Sequence, residues 1–486
     1  MKQATSNTLK TWYPLWAFMS ALLLMLILNP LLRQGMFLDG VIYAAIAKNL
    51  SLNHGTLWQP FYSETLFPYF YEHPPLAIYT ESLLFRAFGE HSRVENLYSF
   101  FMILGQLSLI SWYWLKKEKL SFYHLGILLL IWLMVPLNTR VLTSNMLEST
   151  LTLFTTAASL LLLWDTKHKW TDAICLFLAS IAILLGVLSN GPTAFFPVGI
   201  PLLKAITLGN PRDRMPGLKK TGVVIFMTML VLTAFYLCVP AAWQNMKQYL
   251  STQLLPSVVG ARIPTHTGLK HLHIIFLYMR AISIVSLFSF ICLITAAILQ
   301  KQPIWQYIKQ RVSNKTFLLF CGISLIASLP VGISHRQAFS YITQCAPFIT
   351  LACTYLCYQP CLIIINHCAT RRICMQVLQI GSTLLFIGAV VISTRSTTQF
   401  NRDEILLKDI QVLIPFLHQH HTSVVSSSKQ VYDQDITAAY LARFSMIAIA
   451  PSQTNPYYLA LKNEPIPAGY QPINLPLAYY SLSLRS

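Results

Sequence analysis

Asp39, Glu72, His73 and several tyrosines crowd one short stretch of a chain that is otherwise strongly apolar. Asp39 opens the run Asp39-Gly-Val-Ile-Tyr43, and Glu72 stands in Tyr71-Glu-His-Pro-Pro-Leu76. A carboxylate in such a place can deprotonate an acceptor hydroxyl or amine, general-base work worth roughly 10²–10⁴ in rate. His73 can donate to a phosphate, and Glu72 beside it can orient the histidine or bind a metal. Pro74 and Pro75 hold the residues before them in extended geometry. Tyr43 falls one turn beyond Asp39 on the same helical face. Plainer accounts exist for each. An Asp opening an apolar helix is an ordinary N-cap, and Glu72-His73 suits a polar surface turn. For Asp39 the two accounts are compatible.

Four further segments carry candidate groups. Asn145-Met-Leu-Glu148 reads as a capping-box start, with Asn145 as cap and Glu148 three residues on. Carboxylates at the ends of membrane spans are also functional candidates when they face a cavity. Ser189-Asn-Gly-Pro192 is mainly a tight turn, with Pro192 suited to a first helical position. In Ser334-His-Arg-Gln-Ala-Phe-Ser-Tyr341, Arg336 and Tyr341 lie where a lipid phosphate would approach, and arginine suits phosphate through its rigid fork of donors. The rival account is interfacial snorkelling and aromatic anchoring. Arg262 lies near His266, His271 and His273. The last two are two residues apart and so on different helix faces, which argues against a helical metal pair.

The elements that must position these groups are membrane spans. The chain has 486 residues, 55% hydrophobic and 11% charged, with mean hydropathy +0.53. Apolar runs of about 17–25 residues, long enough to cross a bilayer core as helices, occur at 14–32, 97–115, 122–138, 147–164, 172–188, 192–208, 221–239, 276–299, 316–333, 341–359 and 376–394. The first lacks a small-residue cleavage site and is not a convincing secretory signal. The net charge of +18 suggests nucleic acid until it is distributed. With a cytoplasmic N-terminus, the inner segments hold 18 Lys and Arg against 4 acids, the positive-inside bias of membrane proteins. This leaves nucleic-acid binding without support. The ten cysteines lie mostly in spans or near the inner ends of the last two. They read as packing residues and not as a disulfide framework.

The expected architecture is an all-α polytopic membrane region over 1–395 with about 11 transmembrane helices. A small α/β domain over 396–486 follows on the non-cytoplasmic side. The first outer loop, 33–96, reads as a helix from Asp39 to about Leu52, an extended piece, and an amphipathic helix over 76–88 ending at Gly89. A second outer loop spans 240–275. In the tail, strands are expected at 422–426, 446–450 and 457–461, with a helix near 402–418. No internal repeat is visible, although many transporters are built from repeated halves.

Taken together, these segments resemble the GT-C membrane glycosyltransferases, in particular the protein O-mannosyltransferase and lipid A aminoarabinose transferase group. The resemblance runs from Asp39 to about Tyr355 as dispersed motifs: Asp39-Gly-x-x-Tyr43 with Ala-x-Ala-Lys-Asn-Leu, Gly55 to Trp58-x-Pro60, Tyr71-Glu-His-Pro-Pro-Leu76, Asn145-Met-Leu-Glu148, Ser189-Asn-Gly-Pro192, and Arg336 to Pro347. It implies transfer of a sugar from a polyprenyl- or dolichyl-phosphate donor to a lipid, glycan or protein acceptor on the non-cytoplasmic side, with inversion. Compact loops and a short tail favour a bacterial inner membrane and a periplasmic site. The resemblance places Asp39 in the catalytic carboxylate position and gives Glu72 a part in the donor pocket or a metal site, so a divalent ion is the one cofactor it admits; no metal ligand is assigned. Glu148 joins the catalytic set. Tyr43, Tyr71, His73, Asn145, Arg262, Arg336 and Tyr341 are the expected substrate-binding residues. Two positions depart from the pattern: Gly40 where many members carry Glu, and His73 where the aminoarabinose branch usually has a phosphate-binding Lys. More of the phosphate contact then falls to Arg336 or a loop arginine. The rival functions are a transporter or flippase, and a lipid-linked oligosaccharide ligase.

Overall fold

The computed structural model describes residues 2–165, 168–261 and 273–486. The eleven apolar runs all fall on helical backbone. Among the described residues, seven helices are long and apolar enough to cross a membrane: Lys10–Leu32, Lys169–Asn190, Pro211–Cys238, His273–Leu299, Lys315–Ile333, Phe339–Thr370 and Arg372–Thr398. Three shorter apolar helices, Phe122–Leu133, Leu147–Leu163 and Pro192–Thr207, lie among them. The run 97–115 sits inside the helix Val94–Glu118, whose buried face carries Ser99 and Gln106 beside its apolar residues. Trp114, Trp132, Phe320 and Phe348 fill the interior between the spans. All ten cysteines are free thiols.

Outside the spans, the first loop begins with the helix Leu38–Ser51 and ends with the helix Leu76–Phe88. The Pro74-Pro75 pair precedes the second helix, and Gly89 ends it. Between them Gly55–Thr56 and Gln59–Pro60 form a short antiparallel pair. The expected N-cap role of Asp39 is corrected here. Phe37 is the cap residue and Asp39 lies in the first turn with no side-chain capping bond. Its carboxylate is therefore available for other work. The capping box at Asn145 is corrected too. Met146 caps the helix Leu147–Leu163 without a side-chain bond, and Asn145 takes the left-handed conformation with φ 51°. The 240–275 loop is helical where described, from Pro240 to Val259, with one wide π-helical turn at Leu250–Leu254. Arg262, His266 and His271 lie outside the described residues.

The tail holds a five-stranded mixed sheet in the order Ala448–Ala450, Val424–Ser427, Tyr457–Leu461, Tyr480–Arg485 and Tyr470–Pro472. The first three strands are parallel and the last two join antiparallel. Three of these strands match the expected positions; the two C-terminal ones were not anticipated, although Tyr480-Ser-Leu-Ser-Leu484 alternates as a half-buried strand does. The helices Glu404–Gln419 and Asp435–Ser445 cover the sheet. Asp409 is buried between them and the last strand, accepting backbone N–H bonds from Ala478, Tyr479 and Tyr480 at 2.7–2.9 Å.

This tail does not stand apart from the membrane region. Its apolar core takes in Val41 and packs against Met36, Leu38, Ile42 and Leu66 of the first loop. Lys48, fully buried, donates to the Ala442 carbonyl at 3.0 Å. Burial pushes its ammonium down to about 8, with Glu90 opposing at 3.8 Å. Arg443 pairs with Glu95 at 2.8 Å, and both side chains are buried. Its guanidinium also lies over the rings of Phe85 and Phe444. Arg443→Met leaves Glu95 as an uncompensated buried charge, a loss of about 3–5 kcal/mol. The expected outcome is a clear fall in the thermal unfolding midpoint, partly recovered when Glu95→Gln is added.

Candidate functional site

A cavity of about 360 Å³ opens where the spans converge with the first loop. One wall is the helix Leu38–Ser51, which supplies Asp39, Ile42 and Tyr43. A second wall is the segment 330–341, which supplies Arg336 and Tyr341. Phe70, Glu72 and His73 enter from the first loop, and Glu148 from the first turn of Leu147–Leu163. Asn190, Pro192 and Thr193 come from the turn after Lys169–Asn190.

Asp39 reaches the cavity because its helix is pressed against the chain before Glu148. A Cβ on Gly40 would collide with the Ser144 carbonyl, so only glycine permits this approach. A Glu at that position, as in many of the enzymes the motif resembles, would need a different packing. The Asn145 amide then ties the helix down, donating to the Gly40 carbonyl at 3.0 Å and to Glu81 Oε1 at 2.9 Å. Asn145 is thus a strut behind Asp39 and does not line the cavity. Glu81 is buried in Leu76–Phe88. Burial raises its carboxyl well above the ordinary range, the nearby Glu95 adds to this, and the Asn145 bond opposes it.

Burial also raises Asp39, the Arg336 guanidinium pulls it back, and Glu72 and Asp435 push it further up. Tyr43 is held well above its ordinary value by burial and by the Asp39 charge; it is a neutral hydrogen-bonding group. On the loop side, Glu72 Oε1 accepts from Gln253 Nε2 at 2.9 Å. His73 sits among the rings of Tyr43, Phe70 and Tyr249, at 5.8, 6.5 and 6.1 Å between centroids. Tyr71 does not line the cavity. Phe70, Glu72 and His73 face it, whereas Tyr71 stacks on Tyr69.

Arg336 is held by its own segment. The Arg336 N–H donates to Ser334 Oγ at 3.1 Å. His335 bonds the helix end opposite, its N–H to the Ser257 carbonyl at 3.0 Å and its Nδ1 to the Val258 carbonyl at 2.9 Å. The expected turn at 189–192 is present, with Gly191 at φ 83°. A side chain there would also strike the Tyr249 ring at 2.8 Å. Sequence reasoning missed Tyr249, Gln253 and Ser257. Their four-residue spacing on a helical stretch is a signal that was there to be read. Among the described residues, no group of three or more His, Cys, Asp or Glu side chains is placed to hold a metal ion.

No family model matches the chain, and none of the curated proteins is similar to it in sequence. Among solved structures, the similarity is one of fold, at low sequence identity. The similarity is to ArnT from Cupriavidus metallidurans bound to undecaprenyl phosphate, with TM-score 0.63, 11% identity, and coverage of 96% of this chain and 97% of that one. The apo state of the same ArnT gives TM-score 0.61 at 11% identity over 95% and 96%. The archaeal oligosaccharyltransferase AglB from Archaeoglobus fulgidus, in complex with an inhibitory peptide and a dolichol-phosphate, gives 0.45 at 13% identity over 92% and 69%. The chain is an integral membrane protein.

The Glu81 strut is open to a direct check. Glu81→Gln keeps an acceptor for Asn145 and is expected to fold normally. Glu81→Leu leaves a buried amide donor short of a partner and is expected to cost about 1–3 kcal/mol, read as a lower unfolding midpoint. The folded value of Glu81 is raised. Its contribution to stability is therefore present below the ordinary carboxyl range and lost as pH rises through the folded value. Glu81→Gln should flatten the alkaline side of the stability profile.

Proposed function

We propose that this protein is an inverting glycosyltransferase that moves a sugar from a polyprenyl-phosphate donor to a lipid, glycan or protein acceptor. The observation that carries the reading is the cavity itself. Asp39, Glu72 and Glu148 share it with Arg336 and Tyr341 at the converging ends of the spans. A donor anchored in a bilayer by its isoprenoid chain brings its phosphate to that level and no deeper. The GT-C fold adds support. In this reading the chain crosses the membrane eleven times, probing the donor from the periplasmic side of a bacterial inner membrane, and residues from 396 form a small α/β domain on that side.

The step follows from charge and position. Arg336 binds the donor phosphate through its fork of donors, and His73 and Tyr341 complete the phosphate and sugar contacts. Arg262 remains a further candidate for the phosphate. Asp39 accepts the proton of the acceptor hydroxyl or amine as that atom bonds to the anomeric carbon. The bond from that carbon to the phosphate oxygen breaks, and polyprenyl phosphate leaves with the electron pair. Attack from the face opposite the leaving phosphate inverts the anomeric configuration. Glu72, oriented by Gln253, positions the sugar, and Glu148 holds its far side. The resemblance admits a divalent ion near Glu72, where Asp39 would be the neighbouring carboxylate. Such ions take six or more oxygen ligands, and two carboxylates beside a guanidinium are a poor start, so no step is assigned to one. A transferred hexose and a transferred pentose are equally compatible with this scheme.

Asp39→Asn is expected to lower transfer by about 10²–10⁴ while the protein inserts and accumulates normally; near wild-type turnover by the purified variant would end the reading. The base must be ionised, so turnover should fall as pH drops through the raised Asp39 value, and the acid limb should vanish from the residual rate of Asp39→Asn. Arg336→Ala should weaken donor use, seen as a higher KM for the polyprenyl-phosphate sugar. Product analysis showing retained configuration would remove the inversion claim.

A further inference from the structure

A second cavity, of about 300 Å³, lies across the helix Leu38–Ser51 from the first. Val41 lines this one, whereas Asp39, Ile42 and Tyr43 line the other, so a single helix forms the partition. Its walls are mainly apolar, built from Met36, Leu407, Ile410, Ile414 and Phe444. Its charged groups are Arg33 and Arg443 against one acid, Glu95, which is already committed to Arg443. Among the described residues, the Nε atoms of Arg33 and Arg443 are buried with no hydrogen-bond partner. Buried donors of this kind are costly to leave unmet, and both belong to side chains lining the same space.

The cavity also has a defined depth. Arg33 directly follows the first span, which ends at Leu32, so this end of the cavity stands at head-group level. Gln411 and Pro415 are exposed at its edge and Ile414 partly so. Phe37 is exposed nearby with the Arg402 guanidinium 5.6 Å from its ring centre, an aromatic–basic pairing typical of membrane interfaces. A soluble anion would gain nothing from the apolar walls. A lipid without a phosphate would leave the two guanidinium donors unmet, and a choline head group would bring a cation to a site whose one acid is already paired.

We propose that this cavity binds an anionic phospholipid, with one acyl chain between Leu38–Ser51 and Glu404–Gln419 and the phosphate at Arg33. The volume is at the low end for ligand cavities and admits one chain segment and no bulky ligand. The site is independent of the transfer reading, because binding is measured without turnover.

The test uses the full chain reconstituted with phosphatidylglycerol or with phosphatidylcholine of the same acyl composition. Retained lipid is then counted by native mass spectrometry after detergent exchange. The wild type is expected to keep phosphatidylglycerol and to lose phosphatidylcholine. Ile414→Trp, which fills the cavity from its edge, and Arg33→Gln, which removes the charge at its end, should each lower retention about tenfold. Arg33→Gln decides the matter alone if the bulkier variant does not fold. Equal retention of the two lipids by the wild type, or undiminished phosphatidylglycerol retention in a folded variant, overturns the proposal.

Discussion

The geometry of this molecule depends on keeping a carboxylate ionisable while most of its surface is out of water. Burial raises the Asp39 carboxyl above its ordinary range. Arg336, from a segment nearly three hundred residues later, supplies the opposing charge. Much of the surrounding architecture can be understood as the means of holding those two groups on two walls of one cavity. Gly40 allows the Asp39 helix to approach closely enough, Asn145 and Glu81 stop it from sliding, and the His335 bonds fix the other wall. None of these supports touches the space where a substrate would lie.

The same balance explains why the neighbouring acids are treated differently. Glu72 lies within the cavity and has an amide donor from Gln253. Glu81 lies behind the wall, where burial raises its carboxyl and it accepts from Asn145. Glu95 is charged and buried, and is matched by a full guanidinium. Three carboxylates within one loop region thus play three electrostatic roles, set by what faces each one.

Much of this was legible in the sequence. Apolar run length located the helices, and proline and glycine marked the ends of the loop elements. The grouping of titratable residues outside the spans located the cavity. Asp39, Tyr43, Glu72, His73, Glu148, Arg336 and Tyr341 were named and do line it. What failed were inferences from local pattern alone. Asn145 looked like a cap because its spacing to Glu148 is that of a capping box, yet a left-handed backbone turns it toward Glu81. The Arg443–Glu95 and Lys48–Ala442 contacts join residues about 350 and 394 positions apart, a separation at which no spacing rule applies.

The shared core between the tail and the first loop has a consequence for how the molecule is made. Chains are synthesised from the N-terminus, and earlier parts generally fold first. Here the helix bearing Asp39 is among the first segments to leave the ribosome, while Tyr440, Ala442 and Arg443, which cover and tether its loop, are among the last. Until those residues arrive, Val41 and Lys48 lack the surroundings that bury them. The cavity wall that carries Asp39 is therefore a late product of biogenesis despite its early position, and a chain released before Tyr440–Arg443 is made would carry every span but an unsupported wall.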